Sequence, residues 1–282
     1  MFKYQSTIKN DVVFKGVGLH SGEPVNMKLI PQEKNTGIIF LFKKNKIKAS
    51  WKNAEVSQLC TKLKHKNIYI STIEHLMSTL SGLGITNLLI DISSSEVPIL
   101  DGSAKNFFEE ILLTGLLKQN VEQKILKIKK KIIYKDGKKF IIANPTKEKK
   151  LSIDFTLNYD DEFIKKQNLV YDHSAENFKH IYQARTFCLQ KDLEKIFSLG
   201  LGKGGSLDNA IIVSGKKILN QGGLRYPNEF VKHKILDCIG DLYLSETQIW
   251  GEIESYGGGH ELNLMLLREI FKNKDNYELI TN

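Results

Sequence analysis

The sequence of 282 residues lacks any apolar run near the length of about 18 residues that a transmembrane helix requires. Residues 1–5 lead into no apolar signal-peptide core, so we expect a cytoplasmic protein. Cysteine is scarce, and Cys60, Cys188 and Cys238 form no CxxC pair. This spacing argues against both a disulfide framework and a zinc site built from thiolates. Any metal would therefore be held by histidine and carboxylate side chains.

Acidic residues are in deficit: 32 Asp and Glu face 41 Lys and Arg, which leaves a net charge of +9. A basic excess suits an anionic partner such as nucleic acid, a phosphorylated substrate or an acidic carrier protein. Much of the excess lies in the lysine runs at 127–131 and 147–150, which are typical of solvated strands and loops. We therefore expect no nucleic-acid partner. An RNA-binding module stays as the alternative, and it would show salt-dependent RNA affinity without metal dependence.

The stretch 230–243 predicts a helix with one chemically distinctive face. At about 100° per residue, His233, Asp237 and Asp241 fall within roughly 80° of one another. Its aliphatic residues cluster on the opposite side: Val231, Ile235, Ile239 and Leu242. Because side chains four residues apart are neighbours on a helix, His233 and Asp237 can reach a single Zn²⁺. A solvated polar face is the more common meaning of an isolated His-x-x-x-Asp pattern, so this site needs support from elsewhere.

A second candidate pair lies at the start of another predicted helix. Residues 71–74, Ser-Thr-Ile-Glu, match a capping box, and helical spacing continues to the stop signals Gly82 and Gly84. Glu74 and His75 therefore lie in the first turn. The positive end of a helix disfavours imidazolium, so His75 would stay neutral, which is the form that binds a metal. The alternative is that Glu74 only caps this helix.

The rest of the first half predicts strands and one further helix. Residues 1–45 alternate apolar segments with turns, as in an antiparallel sheet, and His20 is interpreted as a turn residue in the glycine-rich connection 16–23. A strand over 86–92 precedes a turn at Asp101, and a second helix follows as far as Gly115. Residues 116–124 are polar and are predicted to link two domains.

The second half repeats this order. Strands over 124–134 and 139–144 flank the hairpin signal Asp136-Gly137, and 151–159 predicts another strand. Ser174 predicts a cap for a helix through Tyr182. The glycine-rich segment 200–206 lacks Walker spacing and is interpreted as flexible rather than as a nucleotide cradle. Strands over 209–213 and 248–256 and a last helix from His260 through Phe271 complete the chain.

These halves end alike, with a histidine-bearing helix, a strand and a helix. We therefore predict an α+β fold of two similar domains, 1–119 and 120–282, each a mainly antiparallel sheet with helices on one face. Helices on the same side of both sheets could pack together and bring His75 next to His233.

One cleft could then collect all the candidate residues: Glu74, His75, Thr186, His233, Lys234, Asp237, Asp241 and His260. Two histidines and one carboxylate make a catalytic zinc set with one position open for water. Glu74 could take the proton of that water. His260 could donate a proton to a leaving group or stabilise an oxyanion, with Asp241 holding its ring as a cation.

Longer motifs connect these residues to a known family. They are GVGLHSG (16–22), STIEHL (71–76), PILDGSA (98–104), ARTF (184–187), GGSLDNA (204–210), LRY (224–226), EFVKHKILD (229–237) and GHELN (259–263). Together, and in this order, they resemble the UDP-3-O-acyl-N-acetylglucosamine deacetylases, zinc enzymes of the committed step of lipid A (lipopolysaccharide) biosynthesis. The resemblance implies hydrolysis of the 2-acetamido group of UDP-3-O-(3-hydroxyacyl)-N-acetylglucosamine with release of acetate. It also implies two α+β domains whose helices pack between two sheets.

Residue roles follow from the same resemblance. It implies one Zn²⁺ per chain, bound by His75, His233 and Asp237. Glu74 would be the general base, His260 the protonated partner supported by Asp241, and Thr186 a hydroxyl donor to the oxyanion. Substrate contacts would come from Lys234, Phe187, Tyr159, Leu59, Cys60 and Gly205.

The resemblance also implies an insert at about 188–213 that forms an apolar passage for the acyl chain. Lys203 stands where the family usually has an aliphatic residue, which leaves the preferred acyl length open. A zinc amidase acting on another substrate is a further alternative. The implied partner is a small acylated UDP-sugar, with at most peripheral membrane contact, and a monomer would suffice.

Overall fold

The computed structural model describes residues 2–281 and shows a mixed α+β fold. The strands of the first half are β1 (Tyr4–Ile8), β2 (Val12–Val17), β3 (Pro24–Pro31), β4 (Ile38–Phe42), β5 (Asn45–Lys48), β6 (Ala54–Val56), β7 (Thr61–His65), β8 (Ile68–Ser71), β9 (Leu88–Ile92) and β10 (Leu116–Glu122). Its helices are α1 (Glu74–Leu83) and α2 (Lys105–Thr114). The predicted mixture of strands and helices is confirmed.

Among the described residues, the second half contains ten further strands and four α-helices. Its strands are β11 (Lys124–Ile128), β12 (Ile132–Asp136), β13 (Lys139–Asn144), β14 (Leu151–Asn158), β15 (Lys166–Asp172), β16 (Phe187–Leu189), β17 (Ile211–Ser214), β18 (Lys217–Ile218), β19 (Gln248–Tyr256) and β20 (Tyr277–Thr281). Its helices are α3 (Ala175–Phe178), α4 (Leu193–Ser198), α5 (Glu229–Leu242) and α6 (His260–Lys272).

Each half is built on one larger sheet. The first has the strand order β2-β3-β9-β4-β5, in which only β4 and β9 run parallel. The second has the order β12-β13-β19-β11-β20, and β14 adds to it through β19 and carries β15. Here β11 and β14 run parallel to β19, and the other pairs are antiparallel. The expected mainly antiparallel sheets are confirmed.

Helices α1 and α5 occupy the interior and pack against each other. Every residue of α1 is buried, and α5 also contacts β14, β15 and α6. Gly84 ends α1 in the left-handed conformation with φ of 70°, and its N–H donates to the carbonyls of Leu80 and Ser81. None of the helices in residues 2–281 is long and apolar enough to cross a membrane.

Two local predictions in the first half are wrong. The predicted link 116–124 contains β10, which pairs with β1, because pairing with a strand more than a hundred residues away is not visible in local composition. The capping box does not form either. The Ser71 hydroxyl donates to the Ser95 carbonyl at 3.2 Å, and Glu74 accepts the Thr61 N–H at 3.0 Å, so tertiary partners replace the local cap. The domain boundary at 119/120 itself stays a prediction.

Predictions in the second half fare better. The hairpin at Asp136-Gly137 and the strand over 248–256 are confirmed. The predicted strand over 124–134 is two strands, β11 and β12, which belong to different parts of the sheet. Ser174 caps α3 as predicted, through a bond from the Asn177 N–H at 3.0 Å, but this helix ends at Phe178 rather than near Tyr182.

Candidate metal and acid–base site

Three predicted ligands meet where α1 and α5 pack. His75 Nε2 lies 3.6 Å and His233 Nε2 lies 3.4 Å from Asp237 Oδ1, and all three side chains are buried. One ligand atom from each residue falls within 4.8 Å of the others. The predicted pattern on α5 therefore joins the histidine of α1 in one cluster.

The donor set of this cluster fits a divalent cation. His233 Nδ1 lies 3.0 Å from the Ala184 carbonyl oxygen, and since a carbonyl only accepts, Nδ1 donates and Nε2 keeps its lone pair for a ligand. Asp237 Oδ1 is buried without a hydrogen-bond partner among the described residues, which is rare for a carboxylate oxygen. Two imidazole nitrogens and one such oxygen are the ligands of a three-residue catalytic zinc site.

An acid–base pair borders the cluster. Glu74 Oε1 lies 3.8 Å from His260 Nε2, and the same His260 nitrogen lies 3.9 Å from Asp237 Oδ2. On the other side of its ring, His260 Nδ1 is 2.8 Å from Asp241 Oδ2. The structure thus brings together six of the eight residues predicted to share one cleft: Glu74, His75, His233, Asp237, Asp241 and His260.

The pKa values of Glu74 and His260 are both raised above their ordinary values. Burial raises the pKa of Glu74 above its ordinary value. Burial alone would lower the pKa of His260, but the carboxylates of Asp241 and Glu74 outweigh it and raise that pKa to about 9. A carboxylate with increased basicity therefore faces an imidazole that stays protonated at neutral pH.

The cluster residues on α5 are tuned differently. Burial lowers the pKa of His233 to about 3, which keeps this imidazole neutral. Burial would raise the pKa of Asp237, but nearby positive charge, above all the Lys234 ammonium, holds it well below its usual value. Lys234 Nζ donates to Asp237 Oδ2 at 2.8 Å, and this carboxylate raises the pKa of Lys234 against the effect of burial. Lys234, predicted to contact substrate, is thus also paired with a candidate ligand.

A cavity of about 680 Å³ opens beside this site. Its lining includes five of the six predicted substrate contacts, namely Leu59, Tyr159, Phe187, Gly205 and Lys234, together with Thr186 and His260. The rings of Tyr159 and Phe187 lie 5.6 Å apart at their centroids, and Lys234 Nζ is 5.5 Å from the centroid of Phe187. Cys60 is instead buried next to the site, where burial raises the pKa of its thiol to about 12, so it stays an uncharged packing residue.

The segment 188–213 supplies an apolar wall of this cavity. Cys188, Leu193, Ile196, Phe197, Leu207 and Ile212 all line it. Lys203 is exposed and is not found among the described lining residues. The glycine-rich segment packs tightly here, because a Cβ on Gly204 would lie 2.2 Å from the Gly18 carbonyl oxygen. This contact holds the segment against the 16–23 connection.

His20 lies in a turn, as predicted, but its ring is buried and lines the cavity. Neither ring nitrogen has a hydrogen-bond partner within residues 2–281. Burial lowers the pKa of His20, so the ring is neutral. Glycines around a histidine were the only sequence signal for this position, and they did not distinguish a turn residue from a cleft residue.

Thr61 and Asn263 support the acid–base pair. The family resemblance implies only that Thr61 lines the cleft beside the metal, and no such support was predicted for either residue. The Thr61 N–H donates to Glu74 Oε2 at 3.0 Å, and its hydroxyl contacts both Asp241 and, at 3.1 Å, His260 Nδ1. Asn263 Nδ2 donates to Asp241 Oδ2 at 2.8 Å. Because Thr61 is on β7 and Asn263 on α6, only the folded chain reveals these contacts.

Comparison with known proteins agrees with this geometry. Residues 5–272 match the family model described as LpxC, UDP-3-O-acyl N-acetylglycosamine deacetylase. Similar curated proteins, each named UDP-3-O-acyl-N-acetylglucosamine deacetylase, include one from Teredinibacter turnerae at 43% identity, with 98% of this chain and 93% of the relative covered. Another from Campylobacter jejuni strain RM1221 is 41% identical, with 98% and 95% covered. The chain therefore belongs to the UDP-3-O-acyl-N-acetylglucosamine deacetylase family of enzymes.

Proposed function

We propose that this protein hydrolyses the 2-acetamido group of a UDP-3-O-(3-hydroxyacyl)-N-acetylglucosamine and releases acetate, as a zinc-dependent step of lipid A biosynthesis. Family membership supports the reaction and the substrate class. The single observation that carries the chemistry is the buried His75, His233 and Asp237 cluster beside Glu74 and His260. We further propose that the enzyme acts in the cytoplasm as a monomer, since one chain contains the whole cluster.

His75, His233 and Asp237 would hold the Zn²⁺ ion, one per chain. When bound, zinc supplies a Lewis acid that polarises an amide carbonyl and makes water acidic near neutral pH. The buried, neutral imidazole of His233 and the ionised carboxylate of Asp237 are in the protonation states that such binding needs.

Glu74 and His260 would divide the proton transfers. Glu74 takes a proton from the attacking water, and its raised pKa makes it a stronger base than an ordinary carboxylate. His260 begins the reaction protonated and donates to the departing amine nitrogen, while Asp241 orients its ring. Thr186 would donate its hydroxyl to the oxyanion from the cavity wall.

The cavity matches the parts of the proposed substrate. Its apolar wall from segment 188–213 would take the acyl chain, with Lys203 outside in solvent. Tyr159 and Phe187 would contact the uracil and the sugar, since aromatic faces suit both. Lys234 and Lys139, which also lines the cavity, would face the diphosphate. Leu59, Cys60 and Gly205 complete the proposed contacts in and beside the cleft.

The test is acetate release from UDP-3-O-(3-hydroxymyristoyl)-N-acetylglucosamine by metal-stripped protein, with and without one equivalent of Zn²⁺. We expect no turnover without metal and full turnover with it. Equal activity on the unacylated UDP-sugar would instead favour an amidase of different specificity. Metal-independent behaviour with salt-sensitive RNA binding would favour the RNA-binding alternative.

A further inference from the structure

The three-residue segment 184–186 contacts both the metal-ligand cluster and the cavity. The Ala184 carbonyl accepts the Nδ1–H of His233 at 3.0 Å. Two residues later, Thr186 lines the cavity, and its backbone is held by bonds from its N–H to the Gly102 carbonyl at 2.8 Å and from the Ile211 N–H to its own carbonyl at 2.8 Å. The position of this segment relative to α5 therefore sets the orientation of the His233 ring.

A buried ion pair ties this segment to α5. The middle residue, Arg185, has a side chain that is 9% exposed, and its partner Glu229 is fully buried at 0%. Glu229 Oε1 accepts the Arg185 backbone N–H at 3.1 Å and Nε at 2.8 Å, and Oε2 accepts Nη2 at 3.2 Å. The carboxylate thus holds the backbone of the segment as well as the guanidinium.

Glu229 is placed to transmit this constraint to the ligand. It is the first residue of α5, and His233 follows it four residues later, on the same face of the helix. Glu229 Oε2 also accepts the Arg225 N–H at 2.5 Å, and Arg185 Nη2 donates to the Gly223 carbonyl at 2.8 Å. The pair therefore fixes the first turn of α5 against segment 184–186 and against residues 223–225, which precede the helix.

Stability alone is a weak reason for such a pair. Removing two charges from water costs about as much as their attraction returns, and apolar replacements of buried pairs are often neutral or stabilising. Geometry gives a better reason, because a guanidinium and a carboxylate joined by two parallel bonds allow little variation in position.

Resting on the zinc site of the proposed function, we propose that the Arg185–Glu229 ion pair positions the His233 imidazole and the Thr186 hydroxyl. Both residues act through the Ala184–His233 bond and the segment backbone, not by touching the metal or the substrate. Loss of the pair should let the His233 ring rotate, so that its Nε2 leaves the ligand cluster that it forms with His75 and Asp237.

The test compares the double variant R185M/E229Q with the wild-type chain. Glutamine keeps an oxygen acceptor for the backbone N–H of residue 185, and neither side chain is left as an unpaired buried charge. The measurements are Co²⁺ affinity in a metal buffer, the visible spectrum of the Co²⁺ form, and kcat of the Zn²⁺ form. Lys150→Met is the matched control, because Lys150 pairs with Asp172 and Glu148 away from segment 184–186.

We expect Co²⁺ affinity to fall by about 10- to 100-fold in the double variant, the range seen when a supporting partner of a metal ligand is lost. The Co²⁺ spectrum should change and kcat should fall, while Lys150→Met keeps all three. Affinity is compared at a temperature at which circular dichroism shows both proteins folded. If the double variant does not fold, E229Q alone is measured instead, and we expect a smaller loss of Co²⁺ affinity in the same direction.

Wild-type affinity and spectrum in the folded variant would overturn the positioning role and leave the pair as a purely structural contact. An equal loss in Lys150→Met would also overturn it. Failure of the wild-type chain to bind Co²⁺ would instead contradict the proposed metal site, so the two failures are distinguishable.

Discussion

Helices α1 and α5 are both interior helices, yet they contribute to the site in different ways. Helix α1 contributes Glu74 and His75, adjacent residues in its first turn. Helix α5 contributes His233, Asp237 and Asp241, which lie four residues apart along one face of the helix. Thus α5 runs alongside the whole site and supports both the ligands and His260, whereas α1 meets the site only with its N-terminal end.

The two helices touch most closely beside the chemistry. A Cβ on Gly240 of α5 would lie 2.1 Å from the Glu74 carbonyl oxygen of α1. This glycine precedes Asp241 on α5. The close approach therefore occurs beside both Glu74, the candidate base, and Asp241, which holds the candidate acid His260. The separation of α1 and α5 therefore sets the distance between Glu74 and Asp241, the residue that holds His260 of α6.

The largest effect should come from removing Glu74, the proposed base, which α1 contributes. Glu74→Gln keeps the side-chain shape and the bond from the Thr61 N–H but loses the proton acceptor. We expect kcat to fall by about 10²- to 10⁴-fold, the usual contribution of a general base. Zinc content and the thermal unfolding midpoint should stay near wild type. Turnover close to wild type would show that α1 contributes only a metal ligand.

A smaller effect should follow from forcing the helices apart. Gly240→Ala places a methyl group against the α1 backbone, which cannot move as a flexible side chain could. We expect a loss of about 1–3 kcal/mol in the free energy of unfolding, measured by urea titration, with lower kcat in the folded protein. Gly259→Ala is the control, since its Cβ would meet nothing within 4 Å. Equal stability of the two variants would contradict the close contact.

The smallest effect should appear in the pH profile. In the proposed mechanism His260 acts protonated, so activity should be lost as pH rises through its pKa of about 9. Glu74 acts ionised there, so activity should also be lost on acidification through a pKa that burial raises. Asp241→Asn removes the nearest charge that raises the pKa of His260. The basic limb of kcat/KM should therefore move to lower pH by about one unit or more. An unmoved basic limb would mean that another group controls it.

The same two helices show what the sequence could predict. On α5, positions 233, 237 and 241 repeat at helical spacing, so the face was identifiable before the fold was known. On α1, Glu74 and His75 are neighbours with no periodicity, and the local capping interpretation of Glu74 was wrong. Its partners, Thr61 on β7 and His260 on α6, reach that carboxylate only in the folded chain.

Long-range contacts account for the rest of what was missed. Thr61, Asn263 and the Arg185–Glu229 pair act on residues that are distant in the chain, and nothing in their own neighbourhoods indicates those targets. The strand β10 was missed for the same reason, because its partner β1 lies at the other end of the first half. Resemblance to a family supplied residue roles that spacing alone left open.

Zinc titration of His75→Ala and His233→Ala tests the central claim most directly, because the claim is that α1 and α5 share one metal site. We predict one Zn²⁺ per wild-type chain in a metal-buffered titration, and a large loss of affinity in each variant while both stay folded. Retention of wild-type affinity in either variant would contradict the shared site.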